Sequence, residues 1–404
     1  MALVAMAGLP NAASAQPQVD PAATSEQITV RPLLAARIRS EHVEQGKLEA
    51  DALTLRVRGG AEARKGRISI LIEGEATLAP VHDYSAFPFP APGNRQWRPA
   101  QAIVPDPENA ELNRLQIEYR TNARTLTLGR QRIDLDDQRW VGSVGWRQNE
   151  QTFDAVRGTA AIGPASIDLA YATSQRTIFG TDAGPRSALA GDFLLAGVAA
   201  KRGPVEGKLF AYLIEYDEAS ALANSSQTYG GFLSADVPVG GKTSLGLRAS
   251  YARQSDYGSN PLSYAANYWS LDASTRMADF DLGVGVETLG SDNGRAVQTP
   301  LATLHKFNGW ADMFLTTPPG GLRDVHIAFG RKFPEVKAIG GLNVGIIVHR
   351  YSSSGGTARY GHEFDAMIGG RLKKVSALIK YASYHARSFG ANTRKLWLQL
   401  EFSL

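Results

Sequence analysis

The chain has 404 residues with no cysteine, 41 glycines, 43% hydrophobic and 20% charged residues, a balance that excludes a disordered tail, a disulfide scaffold and a thiolate metal site. Lys plus Arg number 43 against 39 for Asp plus Glu, a formal charge of +4 that is too weakly basic to point to nucleic acid. No stretch in the middle of the chain reads as a linker, so one large domain is expected. Residues 1–15, MALVAMAGLPNAASA, carry no charge, are apolar up to Leu9 and end in Ala13-Ser14-Ala15, the small-x-small pattern of a secretory cleavage site. They are expected to be a signal peptide, followed by a short periplasmic segment over 16–30. Beyond it no apolar run approaches the ~20 residues of a spanning helix, so any membrane crossing is made by strands.

From residue 31 to 404 the period is two. Leu53, Leu55 and Val57 alternate with Thr54, Arg56 and Arg58; Ile68, Ile70 and Ile72 alternate with Arg67, Ser69 and Glu73. Leu115, Ile117 and Tyr119 oppose Arg114, Gln116, Glu118 and Arg120, and Ile167, Leu169 and Tyr171 oppose Ser166 and Asp168. Leu245, Leu247 and Tyr251 face away from Ser244, Arg248 and Ser250; Phe280, Leu282 and Val284 face away from Asp281; Val375, Ile379 and Tyr381 face away from Lys374 and Lys380. Successive strand residues point to opposite faces, so each segment has an oily and a wet face. About eighteen strands are expected, sixteen being the alternative, starting near residues 31, 52, 67, 112, 123, 153, 166, 193, 205, 228, 243, 264, 280, 324, 342, 361, 375 and 394, within ~2–4 residues.

Between these segments short and long connections alternate. The short set includes 121–124, Gly163-Pro164, Gly203-Pro204, 238–242 and Lys373-Lys374; the long set includes 78–111, 131–152, 174–191 and 288–323. A soluble sandwich has no reason to keep that order, whereas a transmembrane antiparallel up-and-down β-barrel has short periplasmic turns and long external loops. Tyr119, Tyr171, Tyr251 and Tyr381 end the outward bands as an interfacial girdle would. The last segment puts Leu396, Leu398, Leu400, Phe402 and Leu404 on one face, as in the closing strand of an outer-membrane barrel. A barrel of this size is too wide for side chains to fill and holds water unless loops fold in. The proline-rich stretch 78–111 is expected to cap or shield the external mouth, and 301–317 to form a short helix or a constriction loop.

Residues 129–156, GRQRIDLDDQRWVGSVGWRQNEQTFDAV, resemble the alginate export family of outer-membrane porins in a GRQ element, an Arg-x-Val-Gly step and a Trp-Arg-Gln-Asn followed by Thr-Phe-Asp. VPDPENAELNRLQIEY (104–119) and LATLHKFNGWADMFLTTPPGGLRD (301–324) resemble the same family. The resemblance implies an eighteen-stranded channel with a positive constriction that passes acidic polysaccharide outward. It carries one pore arginine over by motif, onto Arg130. That residue shares parity with the lipid-facing Leu126 and Leu128, so the assignment requires a bulge near Gly129.

An anionic solute leaving bulk water needs compensating cations, and the planar fork of arginine meets a carboxylate bidentately. The candidates are the inward-parity residues Arg56, Arg58, Arg114, Arg120, Arg248 and Lys380, with Arg130, Arg132, Arg139 and Arg147 from the motif loop. The competing expectation is that these pair with Asp134, Asp136, Asp137 and Glu118 and only hold loops to the wall. Trp140 and Trp146 are expected to pack the loop rather than stack on sugar rings. No phosphate loop, H-E-x-x-H or G-x-S-x-G is present, and the seven histidines lie at spacings that suggest no metal triad, so no enzyme, metal or cofactor is expected. A lumenal histidine, His326, beside a serine or carboxylate is the one arrangement that would suit a catalytic pair. The expected partners are outer-membrane lipid, an anionic saccharide or carboxylate, and periplasmic export components, with no nucleic acid. Export of acidic polysaccharide is the leading expectation, uptake of small carboxylates the second, and a surface adhesin or scaffold barrel the third.

Overall fold

The computed structural model describes residues 27–404; the expected signal peptide and most of the segment after it lie outside these residues. The strands are β1 (Thr29–Gln45), β2 (Leu48–Lys65), β3 (Ile68–Asp83), β4 (Asn109–Arg120), β5 (Arg124–Gln131), β6 (Thr152–Ile162), β7 (Ala165–Arg176), β8 (Ala188–Arg202), β9 (Val205–Tyr216) and β10 (Ser226–Gly240). They continue with β11 (Thr243–Asp256), β12 (Ala265–Met277), β13 (Phe280–Leu289), a small hairpin of β14 (Ser291–Asp292) and β15 (Arg295–Ala296), then β16 (Leu322–Lys332), β17 (Gly340–Ser352), β18 (Arg359–Leu372), β19 (Val375–Ala386) and β20 (Thr393–Ser403). Apart from the small hairpin, the strands form one eighteen-stranded sheet in which each pairs antiparallel with its chain neighbours. β20 pairs with β1 from Ala35↔Ser403 to Gln45↔Thr393, which closes the sheet into a barrel without an edge.

Both expectations about connections hold. Apart from the two-residue β1–β2 turn at Gly46-Lys47, the tight turns lie on one rim; in the Gly163-Pro164 and Gly203-Pro204 turns the glycine has a φ of 59°, which a two-residue hairpin requires at its first central position. The other rim carries the segments 84–108, 132–151, 177–187 and 290–321. The alternation also holds: Ile70, Ile72, Ile117, Leu128, Leu169, Val284, Ile327 and Leu398 are exposed on the outer face, and Tyr119, Tyr171 and Tyr251 stand among them. Such an apolar exterior is stable only against hydrocarbon.

The core is inside the barrel rather than between layers. Segments 132–151 and 290–321 fold into the lumen and bury Ile133, Val141, Val297, Leu301, Trp310 and Phe314 against wall residues Phe153, Phe193, Tyr212, Tyr268, Tyr351 and Trp397. Each such side chain contributes about 1.5–3 kcal/mol on leaving water. The proline-rich segment 84–108 packs Tyr84, Phe87 and Phe89 with Val43, Ala50 and Ala52 near the β1–β2 turn and with Ala183 of 177–187. It shields this side of the outer rim, and Asp106 reaches from it to the lumenal Arg39.

Candidate functional site

The two inward segments meet across the lumen. Val141 bridges Leu301, Gly142 N donates to Leu301 O at 2.8 Å and Thr303 N donates to Gln138 O at 3.1 Å. A Cβ on Gly142 would strike Thr303 and Gln138, so this approach needs glycine there. Gln151 Nε2 reaches Gly142 O and Leu301 O at 2.8 and 2.9 Å, and Asp134 Oδ1 accepts from Ser143 N at 2.6 Å. Burial pushes the Asp134 carboxyl up. The motif residues Gln148 and Asn149 are wholly buried: Gln148 Nε2 donates to Thr54 Oγ1 at 2.7 Å, and Thr77 Oγ1 donates to Asn149 Oδ1 at 2.8 Å. Most of the motif is thus the seam of a constriction. The expected constriction over 301–317 contains a single 3-10 turn, Leu304–Lys306.

One wall of this constriction is rich in guanidinium groups. Arg37, Arg39, Arg56 and Arg58 project inward from β1 and β2, with Arg132 and Arg147 added from the inward loop. Arg37 pairs with Glu401 at 3.0 Å and donates to Trp146 O; Arg39 meets Asp106 at 3.3 Å and donates to Gln399. Arg58 bonds Glu75 and Glu150, and Arg132 bonds Glu150 and, at 3.3 Å, Glu73. Although burial raises the Glu150 carboxyl, Arg132, Arg58 and Arg56 outweigh it and hold it well below the carboxylate range. Arg56 is the exception to full pairing: Nη2 reaches Glu401 at 3.0 Å, while Nε and Nη1 are buried without a partner among the described residues.

Nearby, His305 stacks on Trp146 at 4.4 Å, and its Nδ1 lies 2.7 Å from Asp312 Oδ1 while Nε2 accepts from Lys380 Nζ at 2.7 Å. Arg147 ties Glu41 of β1 at 3.3 Å to Asp312 at 2.7 Å, and Lys395 adds a third bond to Asp312 at 2.9 Å. Burial raises the Asp312 carboxyl, but His305, Lys395 and Arg147 hold it well below its ordinary value. Burial, then the nearby Lys380, keep His305 well below its own, against the opposing pull of Asp312. The stretch of wall from β13 to β18 is acidic, with Glu287 on β13, Asp324 on β16 and Glu363 and Asp365 on β18. Arg139 crosses to it and bonds Glu287 at 2.6 Å, Thr299 and Asn308.

The sequence-derived candidates separate accordingly. Arg56, Arg58 and Lys380 sit on the lumenal face at the constriction. Arg114 reaches it through a bulge opposite Glu73 and Gly74, where Arg114 and Asn113 both bond the Glu73 carboxylate. Arg120 lies at the short-turn rim beside Glu118 at 2.9 Å. Arg248 lies across the lumen, over the Phe232 ring and 3.6 Å from Asp137. Arg132 bonds Glu73 and Glu150, Arg139 bonds Glu287, and Arg147 bonds Glu41 and Asp312, so their partners are other than the expected Asp134, Asp136, Asp137 and Glu118. Trp140 packs on Phe210 and Tyr268, and Trp146 on His305 and Trp397. His326 has Asp272 at 3.7 Å as its carboxylate neighbour.

Arg130 requires a correction. No register shift occurs at Gly129: β5 stays in step with β4 and β6 from Arg124 through Gln131. Arg130 therefore keeps the outward face of Leu126 and Leu128, where it bonds Asp154 at 2.8 and 3.0 Å. Gly129 has a φ of 113°, and a Cβ there would collide with Leu115 O, so this glycine serves a close strand approach rather than a bulge. Arg37 and Arg39 were missed, although their alternation with Leu34, Ala36 and Ile38 is the same period-two signal.

The alginate export family matches residues 72–272. Among solved structures, Acinetobacter baumannii OccAB4 is similar at 10% identity and a TM-score of 0.72, over 95% of this chain and 100% of that one. Pseudomonas aeruginosa OpdO is similar at 14% identity and a TM-score of 0.71, over 93% and 97%, and Pseudomonas aeruginosa OpdK, solved with vanillate, at 12% and 0.70, over 92% and 98%. Among curated proteins none matches the chain. Closed barrel, apolar exterior and matched family agree, and the chain belongs to the alginate export family of Gram-negative outer-membrane β-barrels.

Proposed function

We propose that the barrel is a passive channel for small anionic solutes, carboxylates first, that pass the guanidinium wall of the constriction. The observation that carries this reading is Arg56, whose Nε and Nη1 are buried among Arg37, Arg58 and Glu401 with no acceptor among the described residues. A buried guanidinium with donors to spare recovers about 1.5–3 kcal/mol for each charge-assisted hydrogen bond it makes. Nη2 is held by Glu401, and Nε and Nη1 point to different edges of the guanidinium, so a solute carboxylate accepts from one of these spare donors at a time. Arg114 and Arg132, partly open to the lumen, extend the same cationic track beside Arg56.

Small solutes are favoured over a polysaccharide because two interlocked loops occupy the lumen. A uronate polymer would have to displace the Val141–Leu301 bridge and the ion pairs on Asp312, whereas a monocarboxylate meets one guanidinium at a time. The presence of vanillate, a small aromatic carboxylate, with the structurally similar OpdK is in keeping with this size class. Nothing in the reading requires covalent chemistry.

Planar-bilayer recording tests it. Wild-type barrels should give anion-selective steps that vanillate-sized carboxylates block and uronate oligomers do not. Arg56→Ala should move the reversal potential toward the cation and abolish the block. Block by uronate oligomers alone would favour the polymer route, and an Arg56→Ala reversal potential equal to wild type would remove Arg56 from the pathway.

A further inference from the structure

The acidic wall carries an arrangement that anion conduction does not use. His326 on β16 and His349 on β17 are direct cross-strand partners, both lumenal, with ring centroids 5.5 Å apart. Asp324, two residues before His326 on the same face, has Oδ1 and Oδ2 at 2.9 and 3.0 Å from His349 Nδ1. One donor atom from each of Asp324, His326 and His349 lies within 4.8 Å of the other two. Linear spacing hides this trio, because antiparallel pairing joins residues 23 positions apart in the pair His326↔His349.

We propose that Asp324, His326 and His349 form a binding site for one divalent transition-metal ion, with Zn2+ the ion that this donor set suits. Two neutral imidazoles and a carboxylate are a familiar Zn2+ set, and small side-chain rotations bring the donors to the separation that bonds of about 2.0–2.2 Å need. A second observation points to a ligand. The Nδ1 of His326 is buried with no hydrogen-bond partner among the described residues, a free donor atom for the ion, and on the outer side of the trio the buried His349 Nε2 and Asp365 Oδ1 lack a partner too.

The surroundings suit a cation. Asp365 Oδ2 stands 3.7 Å from His349 Nε2, and Asp272 Oδ1 stands 3.7 Å from His326 Nε2. Glu363 is the cross-strand partner of His349, and Glu287 that of Asp324, so carboxylates flank the trio on both neighbouring strands. Arg139 faces Glu287 from the inward loop, Lys380 stands near Asp365 and Ala311 N donates to Glu363 at 2.7 Å, while Asp324 has no Lys or Arg ion pair among the described residues. Gly285 lies opposite His326, and a Cβ there would strike the His326 ring and the Asp272 carboxylate, so the missing side chain makes their room. A metal on His349 Nδ1 displaces the proton now shared with Asp324. The proton on the neutral ring is then carried by Nε2, which faces Asp365, the carboxylate–histidine–metal order that fixes a ligand ring.

The site touches the constriction. Asn308 Nδ2 donates to Asp324 Oδ2 at 3.3 Å, and Trp310 N donates to Asp365 Oδ2 at 3.2 Å, so the ion would sit under the 290–321 loop.

Titration calorimetry of the full-length barrel, folded in detergent, with zinc chloride as the probe decides the matter. One Zn2+ per barrel is expected for the wild type, and its saturable binding should be lost in His326→Gln and in His349→Gln. Asp365→Asn should weaken it about 10–100-fold. His362→Gln/His385→Gln, which removes the exposed outer histidine pair with centroids 5.0 Å apart, should leave it intact. Heat-modifiable gel mobility confirms that each variant is closed, and if His349→Gln does not fold, the partly exposed His326→Gln decides alone. No uptake by the wild type, wild-type binding by His326→Gln, or loss of binding in the outer-pair variant would each overturn the proposal.

Discussion

At the residue scale, facing decides what an arginine can do. Arg130 and Arg132 are two positions apart, and the first bonds Asp154 on the outward face while the second bonds Glu150 and Glu73 in the lumen. Arg132→Ala should therefore lower anion selectivity, and Arg130→Ala should leave the reversal potential where it is; the pair is read under a salt gradient in a bilayer. Gly129 carries a different cost. With its φ of 113° and Leu115 O in the place of a Cβ, Gly129→Ala should destabilise the barrel by about 1–3 kcal/mol, read as a lowered urea midpoint for folding into vesicles. Arg56 and Arg58 were legible because parity alone places them. Asp106 and Asp312 were not, since each meets its arginine through a loop whose path no local pattern encodes.

At the scale of elements, the two inward loops behave as one piece because they are bonded to each other as well as to the wall. Arg147 is the common tie between β1, through Glu41, and the 290–321 loop, through Asp312. Arg147→Ala leaves two buried carboxylates short of compensation, a loss of about 3–5 kcal/mol. It should appear as larger and noisier single-channel steps. The pH response follows from Asp312 and His305. A carboxyl held well below its ordinary value contributes stability that is complete above the unfolded value, about 4, and is lost only as pH falls through the lower folded one. Burial and Lys380 keep His305 neutral in the folded barrel, so the ring gives no folded-state transition near pH 6, although its share of the stability declines as pH falls below the unfolded imidazole value of about 6.5. Tryptophan emission, which reports Trp146 and Trp310 in this cluster, should hold steady from pH 7 to about 4.5 and change in stronger acid. A midpoint near pH 6 would mean that His305 titrates. Strand positions were readable from the sequence to within a few residues, β8 being the main exception: it begins at Ala188, five residues before the expected start, because its first residues pair with β7 across a register shift. Loop docking was not readable, because it rests on contacts between segments some 150 residues apart, such as Gln151 with Leu301.

At the scale of the molecule, solvent on the two sides of one sheet sets the whole design. Ile327, 61% exposed at the middle of β16, faces hydrocarbon, so Ile327→Arg should cost about 2–4 kcal/mol in vesicle-folding titrations, far more than polar changes on the lumenal face. The join between the first and last strands has a further consequence. Arg37 and Arg56 both reach Glu401, and Arg39 reaches Gln399, so partners that position the cationic track arrive on β20, the strand that completes the ring. A nascent sheet still open along that line would have its filter unassembled. On the proposed function, ion discrimination would arise in the same event that seals the wall, and a leaky intermediate would be an indiscriminate one.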